Sequence, residues 1–176
     1  MKSPQSRAFT IERNCDAYAA EIASVVEAAF RAKYGNGDGE VALIAALRES
    51  SDVVVELVAL EEGAVVGHAM FSRTSSEPAR CRAAGLAPVC ARVDRQKAGI
   101  GGALIRAGLE ACREQGIGAV IVLGDPDYYG RFGFSAAKAE GIACAFAGPH
   151  LQALELIPGT LDGVTSLAYA PAFSAV

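Results

Sequence analysis

Two periodicities divide the chain. Ala8–Arg13 reads as a short first strand. Tyr18, Ile22, Val25, Val26, Ala29 and Phe30 then recur at helical spacing, which predicts a helix from about Ala17 to Lys33 with Asp16 as its N-cap. The string Gly35-Asn36-Gly37-Asp38-Gly39 breaks it, and a second helix is expected over Glu40–Glu49. Val53–Leu60 and Ala64–Arg73 are strand-like runs joined by Glu61-Glu62-Gly63, a hairpin pattern. Thr74–Arg80 reads as a polar loop and Leu86–Val93 as the next strand. Ala103–Arg113 has apolar residues three and four apart, as an amphipathic helix should, and Gln115-Gly116-Ile117-Gly118 supplies a glycine at its C-terminus. Ala119–Leu123 is an unbroken apolar run of the kind a buried parallel strand gives. Asp125 can cap a short helix with Pro126 at its first position, and Gly133-Phe134 ends it. The expected order is β-α-α-β-β-β-α-β-α-β-β. That is an α/β fold (α+β by stricter counting), with one mixed sheet of about seven strands and helices on both faces.

Composition narrows the class. A chain of 176 residues can bury one substantial core and is short for two, so residues 1–176 are expected to form a single domain. No apolar run approaches the ~20 residues that span a bilayer. Met1–Arg7 lacks the apolar core of a signal peptide, so a cytoplasmic protein without a membrane partner is expected. The five cysteines, Cys15, Cys81, Cys90, Cys112 and Cys144, show no C-x-x-C pair and no nearby histidine cluster. Neither a disulfide framework nor zinc is indicated. A net charge of −4 without a basic run argues against nucleic acid. Arg92, Arg95 and Lys97 nevertheless cluster around one loop.

That loop, Gln96-Lys97-Ala98-Gly99-Ile100-Gly101-Gly102, hands the strand over to the helix. Free N–H groups and the positive end of the helix dipole at such a start favour an anion. Glycines at 99 and 101 let the backbone approach a phosphate or pyrophosphate closely. The G-x-x-x-x-G-K-[ST] pattern is absent, and G-x-G-x-x-G fails at Leu104. What fits is Q-x-x-G-x-G: Gln96, Gly99 and Gly101. This string resembles motif A of the GNAT superfamily of N-acetyltransferases, whose loop holds the pyrophosphate of acetyl-coenzyme A. Tyr129…Gly133-Phe134 resembles the end of motif B, where a tyrosine faces the coenzyme sulfur. The longer run Gly124–Phe134 is similar to a bacterial subgroup called YhbS-like. Val66-Gly67-His68, Leu86-Ala87-Pro88, and a tail with Leu154–Leu161, Tyr169, Pro171 and Phe173 agree with it. The resemblance covers nearly the whole chain.

The resemblance implies a mixed, mostly antiparallel sheet and an N-acetyltransferase. It would move the acetyl group of acetyl-coenzyme A to a primary amine by direct attack in a ternary complex, with no metal. The coenzyme would rest on Gln96, Lys97, Ala98, Gly99, Ile100, Gly101 and Gly102, and on the main chain of Val89, Cys90 and Ala91, where the strand splays from its neighbour. A preformed backbone donor there would act as an oxyanion hole. Tyr129 would be the general acid, a phenol still protonated at neutral pH. Tyr128, about 100° round the helix, is the fallback. Plainer readings stand beside these: Tyr129 as a core aromatic, the glycines as a tight turn, Cys90 as a small buried residue. Glu27, His68, Asp125 and Asp127 remain open as the general base, Asp125 being equally a helix cap and His68 equally structural. Val93 stands where relatives usually carry proline. An alternative function is a catalytically idle acyl-coenzyme A-binding or regulatory module. The acceptor, a small amine or a peptide amine, would be shaped by Phe30–Glu40 and the C-terminal strands, with Glu27, Asp38 and Glu40 as ammonium partners. The family also allows a homodimer.

Overall fold

The computed structural model describes residues 8–13 and 15–174; Met1–Arg7, on which the signal-peptide reading rests, lie outside the described residues. Seven strands form the sheet: β1 (Thr10–Glu12), β2 (Val53–Glu61), β3 (Ala64–Glu77), β4 (Ala83–Ala91), β5 (Ala119–Leu123), β6 (Leu151–Glu155) and β7 (Ser166–Tyr169). Their order is β1-β2-β3-β4-β5-β6, and β7 pairs with the far end of β3. Only β4 and β5 run parallel; every other pair is antiparallel. The helices are α1 (Ala19–Tyr34), α2 (Asp38–Glu49), α3 (Ile100–Glu114), α4 (Pro126–Tyr129) and α5 (Ala136–Ala139). This is the mixed seven-stranded α/β architecture expected.

Alternation along the strands assigns each face its helices. On one face, Ile22 and Val26 of α1 and Leu43 and Leu47 of α2 pack on Val58 and Met70. On the other, Leu104 and Ile105 of α3 pack on Leu57, Ala69 and Phe71. α3 comes unusually close to the sheet at Gly108, where a Cβ would lie 2.0 Å from Cε2 of the fully buried Phe71.

Several boundaries differ from the sequence reading. Burial of Cys15 draws residues Cys15–Tyr18 into a 3-10 turn, so α1 starts at Ala19. Its N-cap position falls on Tyr18, and Asp16 makes no cap. α2 starts at Asp38 rather than Glu40, because Asn36 Oδ1 accepts the Asp38 N–H at 3.0 Å. The polar loop expected from Thr74 is strand as far as Glu77: Thr74–Glu77 pairs with β7 across a long sequence separation, which local pattern cannot reveal. β4 begins and ends earlier than Leu86–Val93, and Val93 sits exposed in a 3-10 turn. α3 takes in Ile100, Gly101 and Gly102, which the sequence reading left in the loop.

Gly108 offers a direct test of the close approach. Helix propensity alone would favour Gly108→Ala by about 1 kcal/mol. Forcing a methyl into the Phe71 ring should instead cost about 1–3 kcal/mol net. Thermal unfolding should therefore show a lower Tm, by about 2–4 °C per kcal/mol for a chain of this size. A rise in Tm would contradict the packing described.

Candidate active site

The centre of the site is a parting in the sheet. β4 and β5 pair only over Ala83–Gly85 and Ala119–Ile121. β4 then continues along β3 through Leu86–Ala91, while β5 stays with antiparallel β6. Between the pairs Ala69↔Val89 and Phe71↔Leu86, β4 fits one more residue than β3, a bulge at Ala87-Pro88. Arg92 donates its N–H to Val66 O at 2.9 Å. Pleat alternation then turns the main-chain groups of Cys90 toward β3 and those of Val89 and Ala91 toward the opening.

At the mouth of this opening lies the start of α3. Lys97 (φ 63°) and Gly99 (φ 83°) take left-handed conformations that fold the loop back on itself. Gly99 is the N-cap and offers no side chain, and the first turn carries no acidic residue. The first helical bond is Ala103 N–H to Gly99 O, at 3.0 Å. The N–H groups of Ile100, Gly101 and Gly102 thus lack helical partners. A Cβ on Gly101 would lie 3.1 Å from the Tyr128 hydroxyl, and one on Gly102 would lie 3.5 Å from the Phe132 ring. Together the two glycines preserve a gap between α3 and the α4 segment. Gln96 and Lys97 are exposed at its rim, Ala98 is half-buried, and Ile100 anchors the loop in the core.

The basic patch expected here is largely spent. Arg92 holds Asp94, with Nε 2.6 Å from Oδ1. Arg95 holds the buried Glu61, with Nη2 2.8 Å from Oε1 and Nε 2.8 Å from Oε2. Of the three expected cations only Lys97 has no ion pair among the described residues. Two arginines that the sequence reading passed over stand in their place. Arg106 lies 5.1 Å over the Phe132 ring and Arg131 4.4 Å over Tyr128, neither in an ion pair among the described residues. Their signal was spacing: Arg106 is four residues beyond Gly102 and Arg131 three beyond Tyr128.

Asp125 caps α4 as expected, accepting the Asp127 N–H at 2.9 Å. The cap places the Tyr129 ring on Gly124, where a Cβ would lie 2.4 Å from Cε2. Tyr128 and Phe134 present edge contacts to it at 5.0 and 5.8 Å. Burial, reinforced by the phenols of Tyr128 and Tyr34, pushes the Tyr129 hydroxyl well above its ordinary pKa. It therefore stays protonated at physiological pH. Tyr128 instead aims its hydroxyl at the start of α3.

None of the four open base candidates stands free at the opening. Asp125 is committed to its cap, and Asp127 is exposed in the first turn of α4. Glu27 pairs with Arg31 on the outer side of α1. His68 is sealed between strands at 0% exposure, with Nε2 2.8 Å from Glu56 Oε1. Glu56 also takes Arg48 Nε, at 3.1 Å. This network belongs to the core beneath α2. Cys90 faces the same core, and burial raises its thiol to about 12, which makes it a poor nucleophile.

The GNAT acetyltransferase domain family matches residues 11–137 of this chain. The chain belongs to that family. It is 34% identical over 133 residues to the uncharacterised N-acetyltransferase YhbS of Escherichia coli K12, covering 74% of this chain and 80% of the relative. YjhQ of the same organism, also uncharacterised, is 35% identical over 136 residues, 70% of this chain and 75% of that one. Among solved structures, E. coli YhbS in complex with CoA superposes with a TM-score of 0.84 at 29% identity, covering 99% and 96% of the two chains. A Brucella melitensis GNAT acetyltransferase in complex with acetyl-CoA gives 0.81 at 36% identity, over 95% and 99%. No helix among the described residues is long and apolar enough to cross a membrane.

In this GNAT domain the Glu56 carboxylate governs part of the acid stability. Burial raises its pKa, but hydrogen bonds from His68 and Arg48 outweigh that and hold it below the ordinary 4.5. A depressed folded-state pKa gives stability that is fully present above 4.5 and is lost as pH falls through the lower folded value. Glu56→Gln should cost about 3 kcal/mol at neutral pH by leaving Arg48 uncompensated. Urea titrations from pH 7 down to 3 should also show a shallower acid decline than wild type. An unchanged acid limb would contradict the network's role.

Proposed function

We propose that this GNAT domain transfers the acetyl group of acetyl-coenzyme A to a primary amine by direct attack within a ternary complex. The observation that carries the reading is the unpaired edge of β4, with Val89 and Ala91 turned toward an opening whose mouth is the uncapped start of α3. The complexes of the two similar proteins, one with CoA and one with acetyl-CoA, support it. In this reading the pyrophosphate rests on the N–H groups of Ile100, Gly101 and Gly102, with Lys97, Arg106 and Arg131 supplying charge. The pantetheine runs along Val89 and Ala91, and a backbone N–H of that edge bonds the thioester oxygen as negative charge develops on it.

Tyr129 is the proposed proton donor. The amine lone pair forms the new C–N bond, the C–S bond breaks, and the sulfur leaves as thiolate. The Tyr129 hydroxyl gives it a proton, and the proton shed by the acylated nitrogen restores the phenol. The balance is amine plus thioester to amide plus thiol, with nothing else consumed. Since the candidate bases are engaged or exposed elsewhere, the amine attacks after entering in its neutral form.

Tyr129→Phe should leave the acetyl-coenzyme A Kd unchanged and lower kcat by about 10²–10⁴-fold, the usual range for an acid–base group. Calorimetric titration and a thiol-release assay measure the two. Gly101→Glu, which fills the gap beneath Tyr128 with a like-charged group, should abolish coenzyme binding. Unchanged turnover in the Phe variant would instead favour the idle binding module. A second outcome concerns pH. With a neutral amine as nucleophile, kcat/KM should climb with pH until it passes the acceptor's own pKa, and should shift when an amine of different basicity is used. A midpoint common to all amines would point to an enzyme base.

A further inference from the structure

We infer that Tyr169 forms part of the acceptor site: its hydroxyl receives an N–H of the incoming amine, and the rings beside it select an amine carried on a flat, apolar body. The inference rests on the acetyl-transfer reading above and names the substrate class for it.

Tyr169 pairs with Thr74 at the end of β7 and lays its ring over Gly85, where a Cβ would lie 2.4 Å from Cε1. Gly85 is the last β4 residue paired with β5. The ring therefore stands at the vertex of the opening. Ala84 and Leu86 point into the α3-side core, so Gly85 and the ring on it belong to the opposite face, where the ring packs on the cluster of Ala83, Ala119 and Ile121. Tyr129 packs against the α3-side core instead. The two phenols thus close the vertex from its two faces. The coenzyme, held by the start of α3, would occupy the α3 side. The amine must then approach from the face of Tyr169.

The hydroxyl oxygen of Tyr169 is buried and has no hydrogen-bond partner among the described residues. Such a group is costly unless something bonds to it. A phenol oxygen has lone pairs to accept an amine N–H while leaving the nitrogen lone pair free for attack. Phe173 and Phe146 flank the ring at 4.7 and 5.5 Å, and Phe146 is 38% exposed. Of the acids expected to bind ammonium, Glu27 is paired with Arg31 and Asp38 lies 3.8 Å from the same guanidinium, while Glu40, half-buried in the first turn of α2, has no ion pair among the described residues. The rings beside the hydroxyl suit a flat monoamine.

The experiment compares wild type with Tyr169→Phe, using 2-phenylethylamine and spermidine as probes at saturating acetyl-coenzyme A. Wild type should prefer 2-phenylethylamine. The variant should raise its KM by about 2–10-fold, the loss of one hydrogen bond between neutral groups, with kcat little changed. The acetyl-coenzyme A Kd should not move. The Tm of the ligand-free variant should equal or exceed that of wild type, because no bond is lost. A lowered Tm would make the hydroxyl a structural group and overturn the inference, as would an unchanged KM. Preference for spermidine, or coenzyme binding with transfer to neither amine, would overturn the acceptor class. Failure of wild type to bind acetyl-coenzyme A would overturn the acetyl-transfer reading itself, and this inference with it.

Discussion

Buried peptide groups need partners, and the free edge of β4 is where this fold leaves some without any from the sheet. Past Gly85 the strand keeps β3 on one side and loses β5 on the other. The neighbouring elements hold that edge open. The Tyr169 ring sits on Gly85 and the Tyr129 ring on Gly124, each where even a methyl group would collide. β5 is satisfied by β6 over its whole length, Ala119 to Leu123, so it has no need to follow β4. Gly108 lets α3 press onto Phe71, which fixes the height at which the uncapped first turn of that helix meets the opening.

The charge distribution follows the same division between framework and site. Arg95 ties the loop before α3 to Glu61 at the tip of the β2–β3 hairpin, and Arg92 is held by Asp94. These pairs rigidify the approach to the helix and remove two cations from the anion site. A helix N-terminus contributes roughly 0.3–1 kcal/mol toward a nearby charge, rising to about 2 when partly buried. A pyrophosphate therefore needs several N–H donors acting together with free cations. The left-handed turns at Lys97 and Gly99 and the bare glycines that follow supply the first. In the proposed complex Lys97, Arg106 and Arg131 would supply the second.

The order and kind of the seven strands and of α1 to α4 were legible in the sequence because periodicity reports burial directly, whereas α5, a single turn over Ala136–Ala139, was not expected. The glycine turn, the Asp125 cap and the tight hairpin were legible because each is local chemistry. What the sequence hid was long-range. Thr74–Glu77 looks like loop because its polar side chains say nothing of a strand nearly a hundred residues on that pairs with its backbone. The cluster Arg92, Arg95 and Lys97 looks like a phosphate patch until Glu61, far back in the chain, claims one of its members. His68 could be listed as a base or a structural group, and only its contact with Glu56 and its complete burial separate the two. Tyr169 shows in the sequence only as one residue of the tail that agrees with the family resemblance, with no role attached. Its place at the vertex depends on β7 crossing to β3.

Several buried polar atoms lack partners here, and they are not equivalent. The hydroxyls of Ser72 and Thr74 ride on short side chains that can turn about χ1. Gln152 spends its amide nitrogen on Gly124 O at 3.1 Å and keeps only a spare acceptor. His68 places its Nε2 on Glu56 and leaves Nδ1 without a partner among the described residues. The phenol oxygen of Tyr169 differs because rotation about its ring axis does not move it. Its position is fixed by a ring pinned on Gly85 between Phe146 and Phe173. An orphan that cannot relax, set at the point where the sheet parts, is one for which a ligand is the remaining partner. Departures from complete internal satisfaction of that kind gather where function is.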